Sequence, residues 1–237
     1  MSVHEKHRER LDKKVRENGL EALEPHEQLE HILFAVIPRG DTNATAHRLL
    51  EKYVTIAAVL NADAEELMKI EGVGKRCATF LTTLPSLLGI AERSLISDTP
   101  IMLDTSEKIS DFAKTYFYGK LNEEAYLFCL NSTYRLLAVT RISRGAPDET
   151  YVYPAQVVSQ ALRDKACTAV MVHNHPCGEV KPSNGDVLLS RALARAFEAV
   201  QIKFADSMII TEKEFFSMRE MGYLDNLYEK NYKFDKK

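Results

Sequence analysis

The feature that most constrains the fold of this chain is an apolar run, Thr168–Val172, followed at once by His173 and, one residue further on, His175. A run of this length and β-branched content is typical of a buried strand. Side chains alternate between the two faces of a strand, so both imidazoles should point to the same side. The sequence therefore predicts a strand whose end presents two histidines together.

The segment after the histidines has the composition of a loop that folds back on the strand. Ten residues separate His175 from Asp186, and they include two glycines and two prolines. Such a loop can bring a carboxylate to the imidazoles. Two His and one Asp with a vacant fourth position form a catalytic zinc site, whereas a structural site is closed by four protein ligands. We therefore expect one Zn²⁺ per chain, held by His173, His175 and Asp186.

Each of these residues also has an explanation that needs no metal. An isolated His-x-His is weak evidence for an ion. The segment from Ser183 to Asp186 has the S-x-x-D pattern of a helix capping box. The two uses of Asp186 are compatible, because a carboxylate in the first helical turn can also face the strand end.

A hydrolytic zinc site needs a base for its water and a donor for the oxyanion. Glu123 or its neighbour Glu124, at the start of an apolar stretch at 125–130, is the candidate base. The alternative for both is a solvated pair of charges after a turn. Ser183 is the candidate oxyanion donor.

Composition describes an ordinary globular chain. It has 237 residues, 45% hydrophobic and 27% charged, with a formal charge of −3, which gives no global attraction to nucleic acid or anionic membranes. No apolar run approaches the ~20 residues that span a bilayer, and the N-terminus is too polar for a signal peptide. The four scattered cysteines favour a reducing compartment. We expect a soluble cytoplasmic protein with no membrane partner.

The pattern of the chain changes near residue 100. Residues 1–97 have helical periodicity, and a cluster rich in Ser, Asp, Thr and Pro follows between 94 and 104. Residues 101–225 alternate apolar strand-like runs with helices, and 226–237 form a polar tail. The sequence predicts an all-α domain followed by an α/β domain with a mixed sheet and flanking helices. The predicted strands are 125–130, 135–142, 168–172 and 208–211.

Within the helical part, residues 65–78 predict two helices joined by a Gly-Val-Gly turn. Gly72 and Gly74 permit positive φ and close backbone approach. The free N–H groups at Gly74, Lys75 and Arg76 would then offer a helix N-terminus to a phosphate. Because residues 1–100 carry 13 basic against 16 acidic side chains, charge does not reinforce DNA binding. A plain helical corner used for packing or for a protein partner is the alternative.

Taken together, these motifs resemble known families. The JAMM (MPN/JAB) metalloprotease motif is similar to the combination of Glu123, His173-x-His175-Pro176 and Ser183-x-x-Asp186. The bacterial RadC family is resembled more specifically, by His-Asn-His-Pro-x-Gly followed by Pro-Ser-x-x-Asp. The helix-hairpin-helix at 65–78 is similar to that family's N-terminal half. The resemblance implies a cytidine-deaminase-like α/β fold, Zn²⁺ on the two histidines and the aspartate, Glu123 as general base, and Ser183 as oxyanion helper.

The resemblance also separates the two glutamates and marks departures. It favours Glu123 over Glu124, because Glu123 stands eight residues before Asn131, which matches the length of the family's strand. Cys177 stands where the family has Ser, and Asp206-Ser207 where it has an Asp-His pair. The family's Pro-Arg-Glu segment is Pro154-Ala155-Gln156 here.

Two functions of different classes follow. The first is a zinc-dependent hydrolase that cleaves an amide, peptide or isopeptide bond in an unidentified peptide or protein substrate. The second is a DNA-associated accessory protein, in line with the family's DNA-repair label, whose metal site is structural or vestigial. A nucleobase deaminase is excluded, because it needs His-x-Glu and Pro-Cys-x-x-Cys. A homodimer formed through residues 1–100 stays open.

Overall fold

The computed structural model describes residues 3–96, 100–144, 152–176 and 178–225. Cys177, most of the loop after the second strand and the predicted tail at 226–237 lie outside the described residues. Contacts divide the chain into two units, Met1–Leu88 and Gly89–Lys237. The division falls inside a helix, upstream of the composition change near residue 100.

The first unit is helical throughout its described part. Its helices are α1 (Val3–Asn18), a 3₁₀ turn (Leu20–Ala22), α2 (Pro25–Leu33), α3 (Thr42–Tyr53), α4 (Ile56–Leu60), α5 (Ala64–Met68) and α6 (Lys75–Ile96), the last of which continues into the second unit. Side chains of Asp41, Thr55 and Asp63 cap α3, α4 and α5 by accepting backbone N–H bonds. The buried core is leucine-rich and includes Leu29, Leu33, Leu49, Leu67 and Leu81.

The predicted helix-hairpin-helix is present as α5, a turn and the start of α6. Gly72 has φ of 93°, and a Cβ added there would lie 2.3 Å from Thr45 Oγ1 on α3. Both expected roles of a glycine, positive φ and close approach, therefore apply to Gly72. They do not apply to Gly74, which has no positive φ and open space where a Cβ would stand. The prediction was wrong for Gly74, which stands directly before α6 and whose carbonyl accepts from Ala78 N–H as the first bond of that helix.

The second unit has a mixed α/β architecture, as predicted. Its further elements are α7 (Ser106–Phe117), β1 (Glu124–Leu130), β2 (Leu136–Arg144), α8 (Pro154–Arg163), β3 (Thr168–Asn174), α9 (Asn184–Ala199), β4 (Lys203–Ile210) and β5 (Phe215–Ser217). The sheet order is β2-β1-β3-β4-β5. Among the strand pairs of the described residues, β3–β4 alone is parallel, and α9 forms its crossover. The carboxyl end of β3 therefore meets the start of α9 at one edge of the sheet.

Strand alternation divides the second unit into two cores. On one face, Ala125, Leu127 and Met171 pack with apolar residues of α8 and α9. On the other face, Phe128, Val170 and Val172 join a cluster with α7. β1 and β3 are buried on both faces, which is why their sequences read as continuous apolar runs.

The strand prediction was incomplete at the C-terminal side of the sheet. β4 begins at Lys203 rather than 208, and β5 was not predicted. Polar Asp206 and Ser207 interrupt the apolar pattern of β4, but both are buried. Asp206 accepts hydrogen bonds from Ser217 Oγ and from the N–H groups of Ser207 and Arg219. Those bonds satisfy a buried carboxylate within a strand, and burial still raises its pKa.

None of the helices in the described ranges is long and apolar enough to cross a bilayer.

The hairpin geometry yields a test of stability. We expect Gly72→Ala to destabilise the chain by about 2 kcal/mol, because the backbone conformation is strained for an L side chain and the added methyl overlaps Thr45. Gly74→Ala is the matched control and should change the unfolding free energy by less than about 0.5 kcal/mol. Urea unfolding followed by circular dichroism measures both. Equal effects of the two substitutions would contradict this account of the turn.

Candidate metal centre

Two elements of the second unit bring the three predicted metal ligands together. His173 lies near the end of β3, His175 follows the strand, and Asp186 lies in the first turn of α9. The Nε2 atoms of the histidines are 3.2 Å apart. Asp186 Oδ1 is 3.4 Å from His173 Nε2, and Asp186 Oδ2 is 3.7 Å from His175 Nε2. These three are the only group among the described residues whose donor atoms all converge within 4.8 Å.

The spacing of these atoms suits a tetrahedral zinc ion. Donors about 2 Å from a tetrahedral ion lie about 3.3 Å from one another. The distance between the two imidazole nitrogens, 3.2 Å, and that between His173 Nε2 and Asp186 Oδ1, 3.4 Å, are both close to that value. Two imidazoles and one carboxylate are also the ligand types that zinc accepts while leaving one position free. The residues present therefore fit the group that the sequence predicted.

The orientation of His175 is set by a backbone partner. Its Nδ1 lies 2.7 Å from the carbonyl oxygen of Glu179 in the following loop. A carbonyl only accepts, so Nδ1 carries the proton and Nε2 keeps its lone pair for a ligand. Gly178, with φ of 85°, forms the turn that allows the loop to return, and its N–H donates to His175 O.

Burial keeps His173 in the neutral form. Desolvation at the strand end lowers the pKa of His173, and the neighbouring His175 lowers it further. The Asp186 carboxylate acts in the opposite direction but does not outweigh burial. Neutral imidazole is the form that binds metals, so His173 needs no proton release at neutral pH to serve as a ligand.

The capping box and the metal-ligand geometry coexist at the start of α9. Ser183 Oγ accepts from Asp186 N–H, and the Ser183 N–H and hydroxyl both donate to Asp186 Oδ2, at 2.8 and 2.7 Å. These bonds hold one carboxylate oxygen and leave Oδ1 facing His173. The helix start thus orients the third candidate ligand.

The two candidate bases differ in burial and in the face that strand alternation assigns to them. Glu124 is buried on the α7 face, where Tyr126 Oη donates to its Oε2 and Lys120 Nζ lies 3.4 Å from its Oε1. Glu123 is exposed and precedes β1. Glu123 and Ala125 are two positions apart, so in an extended chain their side chains point to the same face. Ala125 belongs to the α8–α9 face and pairs directly with His173. Strand geometry therefore directs Glu124 away from the histidines, and Glu123 has the parity of their face.

Sequence reasoning missed Asn174, which stands between the two histidines. It is 4% exposed, and its side-chain amide bonds to the backbone of Asn122 and Glu124. The sequence did contain a signal: a polar residue between two candidate ligands must, in a strand, point to the face opposite to theirs. The Glu179 carbonyl that orients His175 left no signal, because any residue supplies one.

In the helical unit, the predicted phosphate-binding residues lie at the α5–α6 turn. Gly74, Lys75 and Arg76 are exposed at the start of α6, and neither basic side chain forms an ion pair within the described part of the chain. Glu71 in the same turn pairs with Arg48.

Comparison with known proteins agrees with both units. Residues 103–223 match the family model of the RadC-like JAB domain, and residues 42–79 match that of the SAM-like helix-hairpin-helix tandem. A UPF0758 protein of Fusobacterium nucleatum is 30% identical over 224 residues, covering 92% of this chain and 97% of the relative. A UPF0758 protein of Ruegeria pomeroyi is 31% identical over 218 residues, with the same coverage.

The family match includes β1, the His173–Asp186 segment and the whole sheet, and the relatives extend over nearly the full chain. This chain therefore belongs to the RadC-like JAB domain family, whose full-length relatives are UPF0758 proteins.

Proposed function

We propose that this protein is a zinc-dependent hydrolase of the JAMM type that cleaves an amide, peptide or isopeptide bond. The observation that carries the proposal is the convergence of His173, His175 and Asp186 at one edge of the sheet. The RadC-like JAB match supports the class of chemistry. His173, His175 and Asp186 would hold the zinc ion, and a bound zinc would supply the lowered pKa, about 7, of an attacking water molecule.

Glu123 is the proposed general base. Its carboxylate takes a proton from the attacking water, whose oxygen forms a bond to the carbonyl carbon of the substrate. Glu123 then returns the proton to the leaving nitrogen as the C–N bond breaks, which gives a carboxylic acid and an amine. The exposure of Glu123 suits this shuttle, because the carboxylate must reach water and substrate in turn.

Ser183 is the proposed donor to the substrate oxyanion. Its single O–H now points to Asp186 Oδ2, so it must rotate to serve the oxyanion. The Ser183 N–H keeps its own bond to the same oxygen at 2.8 Å. Asp186 therefore stays oriented while the hydroxyl turns to substrate.

The metal is testable without a substrate. We expect about one Zn²⁺ per chain in protein prepared with zinc, and a loss of binding in His175→Ala, because two remaining donors do not hold the ion. His26→Ala is the matched control, since His26 stacks on His47 in the helical unit. Elemental analysis after dialysis measures both. Undiminished zinc in His175→Ala would refute the site.

The base is tested by neutralising one glutamate at a time. Glu123→Gln should lower hydrolysis by roughly 10²–10⁴-fold, the usual contribution of a general base, with zinc content unchanged. Glu124→Gln removes the same charge on the α7 face and should leave turnover within a few fold. The measurement is the release of new amino groups from a library of peptides and isopeptide conjugates, followed by mass spectrometry. A larger loss in Glu124→Gln would reverse the assignment.

A second function, contact with the DNA backbone, has its own support. The helix-hairpin-helix match spans the turn at 65–78, and the N-terminus of α6 offers Gly74 N–H with exposed Lys75 and Arg76. Gly72 lets this turn pack closely on α3. In this function the hairpin binds phosphates without reading sequence, and the metal centre acts on a protein at the DNA or serves structure alone.

The salt dependence of DNA affinity tests whether the hairpin contacts the DNA backbone. Duplex DNA should bind at low salt, and the double substitution Lys75→Ala/Arg76→Ala should weaken binding and reduce the slope of log K against log salt by about 1–2. Lys13→Ala/Lys14→Ala removes equal charge from α1 and serves as the control. Fluorescence anisotropy with a labelled duplex gives the constants. Equal losses in both double variants, or no binding at low salt, would exclude the hairpin as a DNA contact.

A further inference from the structure

Asn174 lies between the two histidine ligands, but its side chain turns to the opposite face of the sheet. Its carboxamide Oδ1 accepts from the N–H of Glu124 at 2.7 Å, and its Nδ2 donates to the carbonyl of Asn122 at 3.2 Å. These two bonds flank Glu123 on either side. The buried Asn174 side chain therefore binds the backbone immediately before and after the proposed base.

The strand ladder explains why a side chain is needed at this point. The last backbone pair between β1 and β3 is Ala125 with His173. The next pair in register would join Glu124 to Asn174, but the β1–β3 ladder does not include it, and Asn174 is the last residue of β3. The Asn174 carboxamide takes the place of this missing backbone pair and binds the chain as far back as Asn122, three residues before Ala125.

The chemistry of the position selects an amide. The two partners are one N–H donor and one carbonyl acceptor, so the side chain must both accept and donate. Only Asn and Gln carry a carbonyl oxygen and an NH₂ group together, and Asn does so at the shorter reach. A carboxylate would lack the donor, and an aliphatic side chain would remove the bond to the buried N–H of Glu124.

Glu123 depends on this hold for its own position. Its side chain is exposed, and within the described ranges it forms no hydrogen bond or ion pair that would orient it. The location of its carboxylate is therefore determined by the backbone that carries it. Catalytic groups lose much of their effect when displaced by about 1 Å.

We propose that Asn174 is a positioning residue, whose carboxamide fixes the backbone around Glu123 and so holds the Glu123 carboxylate beside His173 and His175. The inference rests on the proposed function, in which Glu123 is the base. It adds a role for the residue between the ligands, one that acts through backbone bonds and not through the metal.

The test uses the full-length protein loaded with Co²⁺, whose visible spectrum reports on the site without a substrate. The pH midpoint of the spectral change is compared in four proteins: wild type, Glu123→Gln, Asn174→Ala and the double variant. Glu123→Gln should lower the midpoint by roughly one pH unit, because a nearby negative charge disfavours loss of a proton. Asn174→Ala should shift it in the same direction, and the double variant should match Glu123→Gln alone.

The controls separate positioning from general stability. Asn131→Ala removes another amide that binds backbone, since Asn131 Oδ1 accepts from the N–H groups of Thr133 and Arg135 at 2.9 Å, at the far end of β1. It should lower the melting temperature and leave the midpoint unchanged. Asn174→Ser, which is neutral and too short for both bonds, replaces Asn174→Ala if the alanine variant does not fold.

The outcomes distinguish a failure of the Asn174 positioning role from a failure of the assignment of Glu123 as the base. A wild-type midpoint in Asn174→Ala or Asn174→Ser, with Glu123→Gln shifted, overturns the positioning role alone. So does a double variant whose shift is the sum of the single shifts, because independent effects add. If Glu123→Gln leaves the midpoint unchanged, Glu123 is not beside the metal, and the base assignment fails together with the inference.

Discussion

The site depends on the two-residue alternation of β3 at the point where this strand leaves the sheet. His173 and His175 share one side, and Asn174 occupies the other. The two candidate histidine ligands therefore lie on one side of β3, and the side chain between them binds the backbone at the start of the neighbouring strand β1. A shift of register by one residue would exchange these roles and remove the site. Because β3 is buried on both faces and lies between β1 and β4, a change of this register would disrupt packing on both faces and pairing with both neighbours.

The start of α9 supplies what a strand end cannot. A strand places its side chains along a line, whereas three ligands around one ion need a donor from outside that line. The capping box makes Asp186 part of the helix start and aims its free oxygen at His173. A local stabilising device, worth about 1 kcal/mol in helices generally, thus also orients a candidate ligand. The metal and capping interpretations of the sequence were complementary.

The parts of the fold that follow from local pattern could be predicted. The apolar runs identified β1 and β3, and the Ser183 motif identified the start of α9. β4 was predicted too short because Asp206 is a buried carboxylate satisfied by partners in and beyond β5, which no local pattern reveals. Gly72 and Gly74 look alike in sequence, yet only at Gly72 would an added Cβ meet a residue of α3, so the need for glycine arose from a tertiary neighbour. Asn174 went unnoticed for the same reason, because both of its partners lie fifty or more positions earlier in the chain.

The most direct test of the central claim is zinc X-ray absorption spectroscopy on the full-length protein. The account predicts one zinc ion with two imidazole nitrogens, one carboxylate oxygen and one further oxygen that is not from the protein, at distances of about 2 Å. His175→Ala should retain no zinc and therefore give no zinc absorption edge. A zinc ion enclosed by four protein ligands, or a protein that takes up no zinc, would contradict it.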